Sequence, residues 1–233
     1  MSEGCLYKCR FCEVKNNRPF RTRSKSEIAT QIESLANLYS EDLYNYNAIF
    51  LGDHDALNTE PETLMGAIPR AVEELRLHRS YMQGCSLFLF GSVDSFLQAP
   101  ENLFQQLNGL NCQIYMNLGL ESFDQKTLDR IGKPIRSRQV VNSFRRMVEV
   151  NDTYPNIEIT ANFIMDPSLS DEHYAKFIGH TRTSLQQPRS KGTLYLSPLL
   201  SPRAKTSPRR LFEFSQLKRL SRLPCYLYTI QRL

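Results

Sequence analysis

Residues 1–12 read MSEGCLYKCRFC, and their three cysteines, Cys5, Cys9 and Cys12, stand in the spacing C-x3-C-x2-C. Half of the chain's six cysteines therefore fall in one short polar loop that also holds Lys8 and Arg10. Buried structural cysteines would instead be spread through strands, and six in 233 residues are too few for a disulfide scaffold. Clustered thiols point to metal binding or catalysis in a reducing compartment. Three thiolates on one loop can hold three irons of a cubane cluster and leave the fourth iron without a protein ligand. A zinc site usually wants four ligands, commonly in two separated pairs. Cys85, Cys112 and Cys225 stand alone, and none of His54, His78, His173 or His180 makes a second pair with a nearby Cys or His. The spacing favours an iron–sulfur cluster, with zinc as the alternative, and the three isolated cysteines read as core thiols.

Outward from the loop, strand-like and helix-like segments alternate. The strand candidates are residues 48–52, 86–91, 112–120, 157–165 and 193–196, separated by stretches long enough for a crossover helix. Helical periodicity runs through 24–39, 60–77, 99–110, 137–150 and 171–185. In the first of these, Ile28, Ile32, Leu35 and Tyr39 share a face, Ser24 and Glu27 form a capping box, and Pro61 suits the first turn of the second. Such alternation predicts an α/β chain, a parallel sheet with helices outside it, either a barrel or an open sheet. Loops at the C-terminal ends of parallel strands carry the chemistry of these folds. A cysteine cluster at residue 5 leaves no room for a strand before it. Residues 2–12 are therefore expected to be the loop after a first strand upstream of Met1, and the strand containing Phe50 to have one unpaired edge.

The balance of 29 Lys and Arg against 24 Asp and Glu gives +5, too mild alone to name a nucleic-acid partner. Hydrophobic residues at 41% and charged residues at 23% exclude wholesale disorder. No apolar run is long enough for a transmembrane helix, and the first residues lack the apolar core of a secretion signal. The expectation is a cytoplasmic protein with no membrane partner. Between Arg182 and Arg222, however, ten basic residues face one acid, Glu213, while the remainder of the chain is net negative. Two segments are expected: a barrel over 1–200, and a basic extension over 201–233 that packs on it or completes it.

The cysteine loop resembles the signature of the radical S-adenosylmethionine (SAM) enzymes, C-x3-C-x-aromatic-C, with Phe11 in the aromatic slot. IFLGDHDAL (49–57) resembles that family's glycine-acid turn after the second strand, and NLGLESFDQKTLDRIGK (117–133) its segment after the fourth. ITANFIMDP (159–167) and TLYLSPLL (193–200) resemble the fifth and sixth strands. The resemblance implies a partial (βα)6 barrel. It also implies a [4Fe-4S] cluster on Cys5, Cys9 and Cys12 that reductively cleaves SAM to a 5′-deoxyadenosyl radical, which abstracts hydrogen from an unidentified substrate. Such an enzyme takes electrons from a donor such as flavodoxin or ferredoxin. Carried over residue by residue, Phe11 would pack near the adenine, and Gly52 would let backbone approach the ligand. Asp53 or Asp55 would receive the methionine ammonium. Glu121 and Ser122 would contact ribose or the amino-acid part, and Lys133 would pair with the SAM carboxylate. Asn162, midway in an apolar strand, would point inward and bind something, because an unpartnered buried amide is costly. The chain departs from the pattern at Pro134, where many relatives carry glycine, and at His54, which could face the substrate.

Each of these residues also has an ordinary reading: a solvated turn for the aspartates, a strand-end cap for Glu121 and Ser122, a helix-dipole partner for Lys133. Two other functions stay open. One is RNA: a tRNA-modifying enzyme of this family, or a nucleic-acid-binding module using the basic tail with Lys15, Arg18, Arg21, Arg23 and Lys25. The tail lacks the interleaved aromatics of a base-stacking surface. The other is a zinc-binding or electron-transfer iron–sulfur protein without SAM chemistry.

Overall fold

A computed structural model describes residues 1–12, 18–198 and 208–227, with backbone alone for 208–211. In chain order the elements are β1 (Ser2–Glu3), β2 (Arg21–Thr22), α1 (Lys25–Tyr39), β3 (Ala48–Phe50), α2 (Pro61–Glu74), β4 (Ser86–Gly91), α3 (Val93–Gln98) and α4 (Glu101–Asn108). They continue with β5 (Gln113–Glu121), α5 (Gln125–Ile131), α6 (Ser137–Thr153), β6 (Ile157–Met165), α7 (Asp171–Ile178), β7 (Leu194–Pro198), α8 (Pro208–Leu220) and β8 (Cys225–Leu227). The capping box is present: Ser24 Oγ accepts from Glu27 N at 3.3 Å, and Glu27 accepts from Ser24 N at 2.8 Å. That backbone donor and the Arg21 guanidinium hold the Glu27 carboxyl down at about 2. No helix among the described residues is long and apolar enough to cross a membrane.

Strands β3 to β8 form one six-stranded sheet in chain order, and β1 and β2 pair separately and antiparallel. The pairs β3–β4, β6–β7 and β7–β8 are parallel, with Ala48 opposite Ser86, Ala161 opposite Leu194, and Leu194 opposite Cys225. The expected α/β class and parallel sheet are therefore present. Among the described residues the sheet has the five strands read from the sequence and one more, β8, contributed by the tail; β3 is an edge, as expected for the strand containing Phe50, which is 52% exposed. Residues 2–12 are not wholly loop, because Ser2–Glu3 is a strand.

The chain divides into two compact units. The first takes Met1–Leu6, Asn16–Met116 and Thr153–Glu158. Its core is built from the inward faces of α2, β4 and α4: Leu64, Ile68, Leu87, Leu89, Phe104 and Leu107 are at most 1% exposed. Helix α4 lies within the stretch 99–110 expected to be helical, and α3, just before it, was not expected. Pro100 separates them, since the residue before proline is pushed to extended geometry and Ala99 has ψ 127°.

The second unit takes Tyr7–Lys15, Asn117–Asp152 and Ile159–Leu233. Phe163 packs edge-on to Phe177 at 5.2 Å, and Phe123 edge-on to Phe144 at 5.3 Å. The helix expected over 171–185 ends at Ile178 and passes into a wider π-type turn, Gly179–Thr183. Asn151, 5% exposed near the end of α6, brackets β6: its Nδ2 donates to Ile159 O at 2.9 Å and its Oδ1 accepts from Ile159 N at 2.8 Å.

Cys85 and Cys112 are not core thiols but a disulfide, with Cα atoms 4.6 Å apart. Each immediately precedes a strand, and Gln113 N donates to Cys85 O at 2.8 Å, so strand pairing itself brings the two together. Cys225 keeps its thiol, which burial pushes up to about 12.

Asn151→Ala leaves both main-chain groups of Ile159 without these partners. The expected loss is roughly 1–3 kcal/mol, read as a lower urea midpoint with an unchanged slope. An unchanged midpoint contradicts the bracketing role.

Candidate active site

The end of β5 and the turn after α5 build a buried polar assembly in the second unit. Asp124 caps the N-terminus of α5, accepting from Thr127 N at 3.0 Å. Gly132 closes the other end with φ 66°, the left-handed value that favours glycine. This helix has only seven residues, too few for a periodicity window, though Asp124 and Gly132 mark both ends in the sequence. Lys133 follows at once and turns inward. Its Nζ lies 3.3 Å from Glu121 Oε1, and both residues are 7% exposed. Glu121 ends β5 with φ 64°, an unusual conformation for a residue with a side chain. Gly119 makes room beneath the pair, since a Cβ there would stand 2.8 Å from Glu121 Oε1 and 2.9 Å from Lys133 Nζ.

The second half of the cysteine loop is tied to this assembly. Arg10 N donates to Ile131 O at 3.0 Å, and Arg10 Nη2 to Asp129 O at 2.8 Å, which satisfies carbonyls at the open end of α5. The Arg10 side chain lies across Gly132, where a Cβ would meet its Nε at 2.5 Å. Lys133 Nζ sits 5.3 Å from the centre of the Tyr7 ring, a cation–π contact. Within the loop, Lys8 takes φ 47° and Cys12 N donates to Cys9 O at 3.2 Å. Cys9 is half-buried and Cys12 exposed. Neither Arg10 nor Tyr7 was a candidate in the sequence; the only hint was the glycine before Lys133, which leaves a groove for a long side chain.

The other candidates of this unit lie differently. Ser122 is fully buried, and its hydroxyl is spent within the protein: His173 Nδ1 lies 2.8 Å away and Asp124 N donates to Ser122 Oγ at 2.9 Å. His173 Nε2 is 3.0 Å from Ile164 O, which fixes its proton on Nε2 and makes Ser122 the donor to Nδ1. Burial lowers the pKa of His173, in keeping with a neutral ring. Asn162 is half-buried and pairs with Asn117: Asn162 Nδ2 donates to Asn117 Oδ1 at 2.9 Å, and Asn117 Nδ2 to Asn162 Oδ1 at 3.3 Å. Phe11 is half-buried.

In the first unit, Gly52 and Asp53 directly follow β3. The close approach that needs a glycine at 52 is that of the chain itself, because a Cβ there would stand 2.7 Å from Ser2 Oγ. Asp53 N donates to Ser2 O at 3.2 Å, and Asp53 lines a cavity of about 410 Å³ with Ser2, Arg23, Phe50 and Phe90. Asp55 points away from solvent. It is 2% exposed and its Oδ1 accepts from Ser95 Oγ at 2.7 Å and Ser92 N at 2.9 Å, anchoring the start of α3. Its Oδ2 is buried without a hydrogen bond, and burial raises its pKa. Of the two aspartates, only Asp53 is exposed. His54 is half-buried, 6.5 Å from the Phe90 ring. Cys5, half-buried, belongs to this unit, where Gly4 keeps φ 78° against the Pro19 carbonyl.

Four of the basic residues singled out in the sequence are engaged with partners in the protein. Arg21 and Arg23 bind Glu3 at 2.5 and 3.0 Å, Arg189 pairs with Asp152, and Arg222 donates to Leu185 O. Lys15, Arg203 and Lys205, with residues 199–200 of the last strand motif, lie outside the described residues, as do the side chains of Arg209 and Arg210.

The sequence model of a family described as the radical SAM superfamily matches residues 1–179. No curated protein matches the chain significantly. Among solved structures, SuiB of Streptococcus suis bound to S-adenosylmethionine aligns with TM-score 0.58 at 15% identity, over 99% of this chain and 49% of that one. HydG, a maturase of the [FeFe]-hydrogenase, aligns with TM-score 0.56 at 11% identity, over 94% of this chain and 48% of its own. A domain of pyruvate-formate lyase-activating enzyme from Bacteroides vulgatus aligns with TM-score 0.53 at 14% identity, over 78% of this chain and 98% of that domain. These likenesses show the fold, the partial barrel that the sequence resemblance implied. The chain spans about half the length of SuiB.

Two outcomes follow from this geometry. Gly132→Ala forces a Cβ into both a left-handed conformation and the Arg10 side chain; a loss of roughly 1–2 kcal/mol is expected, and an unaltered melting temperature contradicts it. For Asp55, the folded pKa lies above the ordinary 3.8, so the folded state resists ionisation. Stability should fall as pH rises from that value through the raised one, then level off. Asp55→Asn keeps the acceptor and removes the charge. The variant's stability relative to the parent should therefore grow with pH across that window, measured by urea unfolding at a series of pH values. A difference that shrinks with pH overturns the account.

Proposed function

The chain belongs to the radical SAM superfamily, and from that premise we propose that it is a radical SAM enzyme with a [4Fe-4S] cluster on Cys5, Cys9 and Cys12. The donor set fits the group. Three thiols on one loop, two half-buried and one exposed, supply three ligands and leave one iron for SAM. The observation that carries the reading is the tie between the Cys9–Cys12 arm and the Glu121–Lys133 pair, made through Tyr7 and Arg10. When bound, the cluster supplies the electron that cleaves SAM to methionine and a 5′-deoxyadenosyl radical, which takes hydrogen from a substrate yet to be identified. The reductant would be a flavodoxin or ferredoxin.

The protein's own residues bind and orient. Asp53, exposed in its cavity, receives the methionine ammonium, whereas buried Asp55 holds the turn in place. Lys133, held by Glu121, offers the positive charge for the SAM carboxylate. Glu121 keeps its second carboxylate oxygen for a hydroxyl of the ribose. Ser122 acts behind it, fixing the strand end through His173. Phe11 supplies an apolar face for the adenine. Asn162 enters only if its bonds to Asn117 are exchanged for bonds to a ligand.

Anaerobic reconstitution of the full chain should yield about four irons and four sulfides. Cys5→Ala, Cys9→Ala or Cys12→Ala should each abolish the cluster, while Cys85→Ala keeps it. SAM should change the electron paramagnetic resonance signal of the reduced cluster, and dithionite with SAM should release 5′-deoxyadenosine. Asp53→Asn and Lys133→Met should weaken SAM binding at least tenfold with iron content unchanged. Stoichiometric zinc in place of iron, or an intact cluster indifferent to SAM, would sink the proposal.

A further inference from the structure

A second group of metal-ligating side chains lies in the first unit, at the N-terminal ends of the strands, opposite the end of β3 that leads into Gly52 and Asp53. His78, in the one-turn helix Leu77–Arg79 after α2, brings a ring nitrogen within 4.8 Å of both Cys85 Sγ and Cys112 Sγ. We propose that, once the disulfide is reduced, His78, Cys85 and Cys112 bind one zinc ion. The site is independent of the cysteine loop and of the chemistry proposed there.

Four features support the assignment. The donor set is two thiolates and one imidazole, the combination that zinc takes among the divalent ions. The scale is right: bonds of about 2.3 Å to sulfur and about 2.0 Å to nitrogen space donor atoms roughly 3.5 Å apart, within the span observed. The charges cancel, because two thiolates and a neutral imidazole around Zn2+ carry no net charge. Neutrality matters here, since Cys85 and Cys112 are 3% and 6% exposed and a lone buried thiolate is costly. Finally, the neighbouring cations are turned elsewhere, Arg76 onto the Tyr44 ring at 5.5 Å and Arg79 to Glu73 at 3.5 Å. His78 is exposed, so water can complete the tetrahedron.

Disulfide and metal exclude each other, because the same two sulfurs serve both. A dithiol such as dithiothreitol takes the bond apart by exchange, closing to its own cyclic disulfide and leaving two protein thiols. Zinc then replaces the two thiol protons, which pass to solvent. Either state ties the start of β4 to the start of β5. The strand ends are thus held both when the protein is oxidised and under the reducing conditions that an iron–sulfur cluster requires.

The test uses the full chain with Cys5, Cys9 and Cys12 all changed to alanine, reduced with dithiothreitol and desalted anaerobically. Zinc titrated against a chromophoric chelator should bind at one ion per chain with release of two protons, and Co2+ should give thiolate-to-cobalt absorption. The air-oxidised protein should bind none. Cys112→Ser should abolish binding, His78→Ala should weaken it at least tenfold, and Cys225→Ser should leave it unchanged. His78 is exposed, so its variant keeps the fold, which circular dichroism verifies. Absence of zinc binding by the reduced protein, or binding indifferent to both Cys112→Ser and His78→Ala, overturns the proposal.

Discussion

The second unit is organised around two opposite charges buried together, Glu121 at the end of β5 and Lys133 after α5. Neither charge would be tolerated there alone, since removing an ion from water costs several kcal/mol and only a close partner offsets it. That requirement fixes much else. Gly119 must lack a side chain, Gly132 must take a left-handed turn so that Lys133 points inward, and Glu121 must hold a positive φ. Arg10 and Tyr7 of the cysteine loop then close over the same turn. A constraint inside the unit thus becomes a constraint on where two of the three signature cysteines can lie.

The architecture was legible from periodicity where elements are long. Strands β4 and β6 match the expected bounds, and α1 begins at its capping box. What escaped was short or locally punctuated: α3, split from α4 by Pro100; α5, defined by its caps alone; and β8, three residues recruited by pairing with β7. The last is a case of tertiary pairing deciding what local preference leaves open. Among the described residues, β8 adds a strand beyond the five read from the sequence.

At the candidate site, sequence pattern named residues but could not tell their surroundings apart. Asp53 and Asp55 are two positions apart and chemically alike, yet one faces a cavity and the other is buried against Ser92 and Ser95 at the start of α3. Ser122 and Glu121 are adjacent, and only burial shows that the serine is turned to His173. The relation of His78 to Cys85 and Cys112 was invisible for a plainer reason. Seven and 34 residues separate them along the chain, and only the sheet makes neighbours of strand starts that far apart.

The pairing of Asn117 with Asn162 carries a consequence of its own. Two side-chain amides joined by reciprocal bonds form a closed ring of donors and acceptors, much as two bases do in a duplex. Neither can rotate alone, because a single flip would set donor against donor and acceptor against acceptor. A ligand that recruits one must also satisfy the other, or leave it stranded in half-buried surroundings. The two strands are therefore joined by side chains that must reorient together if either reorients at all.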